Sequence, residues 1–291
     1  DFVRGISPEG DVARYADELT RPLPEGDDLR YIVRNGGVDI GVFAERLPWD
    51  TEFFGYGVAK LNEVFVLSDH AAGEAEYTAA LQVMLDAALQ TGITYLFGAI
   101  EPRDLPALRA LGNLGFTLIE TRAYYHMSLG DFDSPKRFPV RLATPEDVTS
   151  TQYAARTAVN AYDRFHADPF LAPAADRLMD RWLEASILEG FADATIVPDA
   201  PNPTAFCTVR YHRDMWPVWK MNLAQPVLSA VTPEYKGWYR KLISEVNYHL
   251  MSIGAEHSYL CTQITNRAVI RVWESLGYRF GRGEHIFRIL L

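Results

Sequence analysis

Cysteine is nearly absent from this chain. Cys207 and Cys261 are the only two, with no CxxC spacing and no Cys/His ligand pattern. A disulfide framework and a zinc site are therefore excluded, two buried thiols are expected, and no metal is called for. No apolar run reaches the roughly 18 residues that a membrane span requires, so no membrane partner is expected. The N-terminus lacks the pattern of a signal peptide, which makes a cytoplasmic protein the default. The first residue is Asp1 and not Met, so an initial segment is expected to be missing. Positive charge is also short: 28 Lys and Arg stand against 38 Asp and Glu, for a net charge of −10. Such a chain lacks the basic face that non-specific nucleic-acid binding needs, although a local basic pocket for phosphates is still compatible with it.

What is present points to folded cores. Hydrophobic residues make up 48% of the 291 and aromatics 12%, enough for two ordinary domains or one large one. A helical pattern at Val12, Tyr15, Ala16 and Leu19 ends at Pro22 and Pro24. Strands are predicted at 31–33, 38–43 and 58–66, separated by the aromatic turn segment Leu47-Pro-Trp-Asp-Thr-Glu-Phe-Phe-Gly55. Residues 75–90 carry an apolar stripe of Tyr77, Leu81, Met84, Leu85 and Ala88. A buried strand at 95–100, a helix at 104–114 and a strand at 116–127 follow. Residues 130–139 read as a linker. Thr144-Pro145-Glu146-Asp147 then opens a helix, with Thr as N-cap, Pro at the first position and acids in the first turn. Strands at 194–197, 205–212 and 227–231, a helix at 239–253, a strand at 258–262, a helix at 267–276 and a closing strand from Tyr278 complete the chain. This order predicts an α+β fold with mixed sheet pairing.

The chain also repeats itself. Ala107-Leu-Arg-Ala-Leu-Gly-Asn-Leu-Gly-Phe116 parallels Val269-Ile-Arg-Val-Trp-Glu-Ser-Leu-Gly-Tyr278. Arg109, Leu114, Gly115 and Phe116 match Arg271, Leu276, Gly277 and Tyr278, at an offset of 277 − 115 = 162. Upstream of each copy a helix ends in glycine (Gly92, Gly254) and a buried strand follows. Ordered self-similarity of this kind predicts two copies of one folded unit.

The run from Thr262 to Tyr278, with Asn266, Ala268, Trp273 and Gly277-Tyr278, resembles the C-terminal signature of GNAT-superfamily acyltransferases. Val231-Thr-Pro-Glu-Tyr-Lys-Gly237 is similar to the part before it. More narrowly, Leu47-Pro-Trp49 with Phe53-Phe54-Gly55, and the segment Asp163-Arg164-Phe165-His166, resemble the TDP-fucosamine acetyltransferase type. The resemblance implies tandem GNAT-like mixed-sheet domains flanked by helices. Residues 1–129 would be a degenerate N-terminal copy, 130–139 the linker and 140–291 the acyltransferase domain. It implies transfer of an acetyl or other small acyl group from acetyl-CoA or another acyl-CoA to the amine of a small molecule, such as a nucleotide-linked amino sugar. Backbone amides near Leu228, Ala230 and Val231 would line the acyl group. Lys236, Gly237, Trp238, Tyr239, Arg240 and Lys241 would meet the pyrophosphate at a helix N-terminus, where unpaired N–H groups and the helix dipole attract anions. Asn266 would bind the pantetheine region, or cap the following helix, or do both. Self-association as a homodimer is left open.

Two departures from the family pattern stand out. The phosphate loop of the family has small residues where this chain has Tyr239 and Lys241, and its usual acid tyrosine falls at Trp273, whose indole N–H donates but does not titrate usefully. These departures keep a second reading open: a GNAT-like scaffold that binds a different ligand or an acyl carrier and is not an acetyl-CoA enzyme. In the N-terminal copy, Glu101-Pro102-Arg103-Asp104 replaces the donor-binding element, and no phosphate loop is visible.

The remaining candidates come from residue chemistry. His166 can take a proton from an ammonium, or it is a surface-loop histidine; Asp163 and Arg164 beside it would contact the acceptor. His285 lies on the closing strand next to Glu284, and strand alternation lets only one of them point inward. Trp216, Trp219 and Trp238 can stack on a sugar or base or pack in the core. Trp49, Phe53 and Phe54 are expected in the core. Arg210, His212 and Arg213 form either an anion site or a solvated strand end.

Overall fold

The computed structural model describes residues 28–68, 70–134, 136–158 and 161–291. The helical pattern at Val12 to Leu19 lies outside the described residues. Strands β1 (Asp28–Asn35) and β2 (Val38–Arg46) form a hairpin, followed by α1 (Pro48–Phe54), β3 (Gly57–Val66), α2 (Glu74–Gln90), β4 (Ile93–Ile100), α3 (Leu105–Asn113) and β5 (Thr117–Ser128). Then come β6 (Val140–Leu142), α4 (Val148–Thr157), α5 (Arg164–Ala167), α6 (Ala175–Leu188), β7 (Ala194–Pro198), β8 (Ala205–Arg210) and α7 (Trp216–Trp219). The chain closes with β9 (Leu223–Val231), α8 (Trp238–Ser252), β10 (His257–Gln263), α9 (Arg267–Ser275) and β11 (Arg279–Leu290).

The described residues fall into two compact units, 28–122 with 283–291, and 123–282. The last nine residues thus belong with the first half of the chain, through the pairing of β11 with β4 from His285↔Ile100 to Leu290↔Tyr95. The sequence places its cut at 130–139, because pairing across such a separation leaves no local signal. In the first unit the strand order is β1-β2-β3-β4-β11, and in the second β5-β10-β9-β8-β7-β6. The β3/β4 and β9/β10 pairs are parallel, while β1/β2, β2/β3 and β7/β8/β9 are antiparallel. Both sheets are therefore mixed, as an α+β fold requires.

The repeat extends well beyond the ten residues that reveal it. On α2 the buried side chains are Tyr77, Ala80, Leu81, Met84, Leu85 and Ala88. On α8 the positions 162 residues later are Tyr239, Leu242, Ile243, Val246, Asn247 and Leu250, and the last five are likewise buried. Asp104 caps α3 through Ala107 N (3.2 Å), and Asn266 caps α9 through Val269 N (3.4 Å), again 162 residues on. Each of these helices ends the same way. Phe116 N donates to Leu111 O and Tyr278 N to Trp273 O, both at 3.0 Å, across Gly115 (φ +84°) and Gly277 (φ +97°). Glycine supplies the left-handed turn that lets the chain double back onto its last carbonyls.

The first core packs α2 and α3 against Ile40, Val42, Ala59, Leu61 and Leu96. The second packs Leu242, Val246, Leu250, Trp273 and Leu276 against Ile196, Cys207, Ala224 and Leu260. Cys207 is buried, and burial pushes its thiol up to about 12; Cys261 is only half-buried. The segment at 47–55 is a helix and not a turn, and none of its residues is fully buried, which corrects the core placement of Trp49, Phe53 and Phe54. Trp49 and Phe53 instead stack on each other at 5.9 Å, one helical turn apart.

β6 and α4 are joined by an ion pair. Arg141 reaches the buried Asp147 at 2.6 and 2.9 Å, and Thr144 N donates to the same carboxylate at 2.8 Å. The Arg141 guanidinium holds the Asp147 carboxyl below the usual carboxylate range. Arg141→Ala strands a buried carboxylate and should cost about 2–3 kcal/mol at neutral pH. A depressed folded-state pKa gives stability above the unfolded value, so the pair's contribution is lost as pH falls below about 4. Urea unfolding at pH 7 and pH 3 checks this: the gap between wild type and variant should close at the lower pH.

Candidate functional site

In the second unit, β9 and β10 pair only at His257↔Leu223 and Ser258↔Ala224 and then separate. A bulge on β9 prepares the separation. The register with β8 passes from Val209↔Pro226 to Cys207↔Ser229, so Val227 and Leu228 together face Thr208. Thr208 takes up the slack by accepting from Leu228 N at 3.0 Å and donating to Leu228 O at 3.3 Å. Further along, Thr232 N donates to Thr204 O at 3.1 Å. Strand alternation then turns the N–H groups of Leu228, Ala230 and Thr232 toward β8, and those of Ser229 and Val231 toward the opening. Within the stretch 228–231 expected to line the acyl group, Ser229 and Val231 offer their amides there, while Leu228 and Ala230 turn theirs toward β8.

At the end of the opening stands the start of α8. Gly237 (φ +86°) is its N-cap, with no side-chain cap and no acid in the first turn. The first N–H groups of a helix have no intrahelical partner. Lys236 and Arg240 are exposed beside them, and the Lys241 ammonium lies over the Trp238 ring at 4.5 Å. The equivalent start of α2 has the opposite character. Glu74 and Glu76 occupy its first turn, and Glu76 closes back on Gly73 N at 2.9 Å. Carboxylates there repel the anion that α8 would attract.

Tyr239 does not crowd this helix start. Its ring turns inward, as Tyr77 does on α2, and its hydroxyl accepts from Trp273 Nε1 at 2.8 Å, with Ser229 also bonded to it. Burial pushes the phenol well above its ordinary pKa. Trp273 is 2% exposed, and its indole N–H is taken up by this bond. Asn266 is the cap of α9, and its Nδ2 also reaches Thr262 Oγ1 at 3.1 Å.

On the opposite face of β8 and β9 lies a cavity of about 280 Å³, lined by Trp182, Phe191, Thr208, Arg210, Gln225 and Val227 among others. Gln225 is the first β9 residue past the last β9/β10 pair. It accepts from Tyr259 Oη at 2.7 Å and lies 3.4 Å from His212 Nε2, with Tyr259 Oη 3.2 Å from the same nitrogen. His212 is held at φ +54°, a conformation that non-glycine residues seldom adopt outside turns and functional sites. Burial lowers its pKa.

Other expected residues are placed elsewhere. His166 is held between Asp163 (Nδ1, 2.8 Å) and Asp176 (Nε2, 3.5 Å), so both ring nitrogens are engaged. Asp163 also caps α5 through Phe165 N and His166 N. Arg164 lies over the Phe165 ring at 4.3 Å. Trp216 donates to the carbonyls of Tyr211 and Leu223 at 2.8 and 2.9 Å, pinning α7 to the start of β9. His285 belongs to the first unit, where its Nδ1 bonds Thr121 Oγ1 at 2.9 Å. None of these lines the cavity, and His212 meets its wall only through Gln225. Among the described residues no group of three or more His, Cys, Asp or Glu is arranged to hold a metal ion, and no helix is long and apolar enough to cross a membrane.

No protein-family model matches the chain, and no curated protein matches it. Solved structures do. A GCN5-related N-acetyltransferase from Sphaerobacter thermophilus superposes with a TM-score of 0.57 at 12% identity, over 86% of this chain and 76% of that one. A tandem GNAT protein from the clavulanic acid biosynthesis pathway gives 0.54 at 13%, over 90% and 82%. A GCN5-related glucosamine N-acetyltransferase region of a fungal multi-domain GH3 β-N-acetylglucosaminidase gives 0.58 at 12%, over 95% of this chain and 34% of that one. With its mixed sheets, flanking helices and these structural neighbours, the chain has the α+β fold of the GCN5-related N-acetyltransferases.

Proposed function

We propose that the chain is a tandem GNAT protein whose second unit transfers an acetyl or other small acyl group from acyl-CoA to the amine of a small molecule, while the first unit has lost donor binding. One observation carries this reading: β9 and β10 separate after two registers and open toward a helix start that is basic, uncapped and free of acid. The first unit keeps β3 and β4 together for five registers and places two glutamates at the matching helix start.

Acyl-CoA supplies the thioester when bound. The N–H groups opening α8, with Lys236, Arg240 and Lys241, would hold its pyrophosphate. The Ser229 and Val231 amides would donate to the thioester oxygen as charge builds on it. Because Tyr239 points inward, the small residues of the family loop are not needed for the backbone to approach phosphate. For the acceptor, the cavity offers aromatic walls, neutral polar groups and the Arg210 guanidinium but no carboxylate. That lining suits an amino sugar carrying an anionic group better than a polyamine. The glucosamine specificity of one structural neighbour and the resemblance to the TDP-fucosamine type support a nucleotide-linked amino sugar. Isothermal calorimetry with acetyl-CoA tests the core of the reading. Saturable binding is expected, and no heat at millimolar donor would end it.

A further inference from the structure

By sequence His212 belongs either to an anion site or to a solvated strand end, and acyl transfer as proposed leaves it without a role. We propose that His212 is the base that takes the proton from the acceptor ammonium, oriented by Gln225 and Tyr259. This rests on the acyl-transfer reading and assigns its proton acceptor.

Three features converge on this residue. The first is position. Gln225 and Tyr259 are the first residues of β9 and β10 beyond their last pair, Ala224↔Ser258, so their network sits where the opening begins. Gln225 belongs both to this network and to the cavity wall. The second is restraint. The ring stacks on Tyr259 (6.0 Å, 23°), meets Trp219 edge-on at 5.8 Å, and is carried by a backbone at φ +54°. The third is the tautomer that the hydrogen bonds select. Tyr259 O–H is given to Gln225 Oε1, so Nε2 carries the proton directed at Tyr259 Oη and Gln225 Oε1. Nδ1 then holds the lone pair, and among the described residues it has no hydrogen-bond partner.

The charged groups facing the ring are Arg210 on β8, Asp193 before β7 and Asp214 in the following turn. Arg210 donates to Phe191 O and lies 3.6 Å from Asp193, while Arg213 turns away over Tyr211 and Trp216. Burial and Arg210 lower the ring's pKa; Gln225 and the two aspartates oppose them. The other histidines of this unit are engaged or displaced. His166 is held by two carboxylates, His249 bonds Tyr211 Oη at 2.6 Å, and His257 lies at the far end of β10.

The step balances. The ammonium gives one proton to the imidazole, and its nitrogen lone pair then bonds the thioester carbon. The C–S bond breaks, and the second nitrogen proton ends on the departing thiolate. The imidazolium returns its proton to water, so one proton is released per acyl group moved.

The test uses the full chain with acetyl-CoA and glucosamine, reading thiol release from pH 5 to 9, together with ring-nitrogen NMR titration of the histidines and calorimetry of acetyl-CoA. For wild type, kcat/KM should fall on the acid side with a limb below the ordinary histidine value of about 6.5, and the ring of His212 should titrate at the same pH. His212→Gln should lose about 10²–10³-fold in kcat/KM and the acid limb with it, with acetyl-CoA binding unchanged. Gln225→Leu removes an acceptor that favours the charged ring, so both limb and NMR titration should move to lower pH; a purely structural role would not move them. Retention of rate and acid limb in His212→Gln would overturn the proposal alone. A wild-type chain that binds no acetyl-CoA, or releases no thiol with glucosamine, would overturn it together with the reading it rests on.

Discussion

Alanine at Gly57 is expected to lower the stability of the first unit by about 3 kcal/mol, the upper end for forced overpacking in a core. Gly57 pairs with Ile93 where β3 and β4 begin. A Cβ built there meets Gly92 O at 2.1 Å and Ile93 Cα at 2.9 Å. Both are backbone atoms, and Gly92 is itself the φ +79° exit from α2, so neither can yield by a side-chain rotation. The strands must part or the helix exit must shift. Thermal unfolding should record a drop of about 6–12 °C, at roughly 2–4 °C per kcal/mol for a chain of this size. Gly112→Ala is the counterpart. Gly112 lies within α3 with nothing near an added Cβ, and alanine there should stabilise by about 0.5–1 kcal/mol. Equal effects at the two positions would mean that close approach of β3 and β4 is not what the first unit depends on. The contrast bears on function, because tightly joined parallel strands leave less room for a ligand between them.

Neutralising Lys236, Arg240 and Lys241 together should weaken acetyl-CoA binding about 100-fold. Charge-assisted hydrogen bonds to an anion contribute about 1.5–3 kcal/mol each when shielded. Here the groups are exposed or half-exposed, so about 1 kcal/mol apiece is the fitting figure after solvent screening, and three of them give about two orders of magnitude. The effect should shrink in salt, since the Debye length falls from about 10 Å at 0.1 M to about 3 Å at 1 M. The helix start itself is unchanged by these substitutions, so its backbone amides should still give residual binding. Calorimetry at 0.05 and 0.5 M salt checks both points. A triple variant that binds as tightly as wild type at low salt would remove the basic loop from the donor site.

The identity of Tyr239 shows why the loop was hard to read from sequence. Judged against a motif, it stands where a glycine belongs and suggests a lost phosphate site. Judged against its own repeat it is ordinary, because Tyr77 occupies the matching first turn of α2 and is buried there. The offset of 162 carries the whole buried stripe of one helix onto the other. The residues that contact the donor are then set by where α8 starts, at Gly237, more than by which side chain follows it.

Within one element, the sequence was sufficient. The apolar stripes of α2 and α8, the caps at Asp104 and Asn266, and the glycine exits at Gly115 and Gly277 follow from contacts three to five residues apart. Such contacts leave a periodic trace, and a duplicated trace reveals a duplicated unit. The separation of β9 from β10, the Thr208–Leu228 bulge, the return of β11 to β4, and the meeting of His212 with Gln225 and Tyr259 were decided only by tertiary structure. Each depends on partners from 13 to nearly 200 residues apart, and strand register at that distance is set by packing on both faces of the sheet rather than by local composition. The histidines show the same division. His166 and His285 look reactive as isolated residues, whereas His212 becomes a candidate only once two strands have opened beside it.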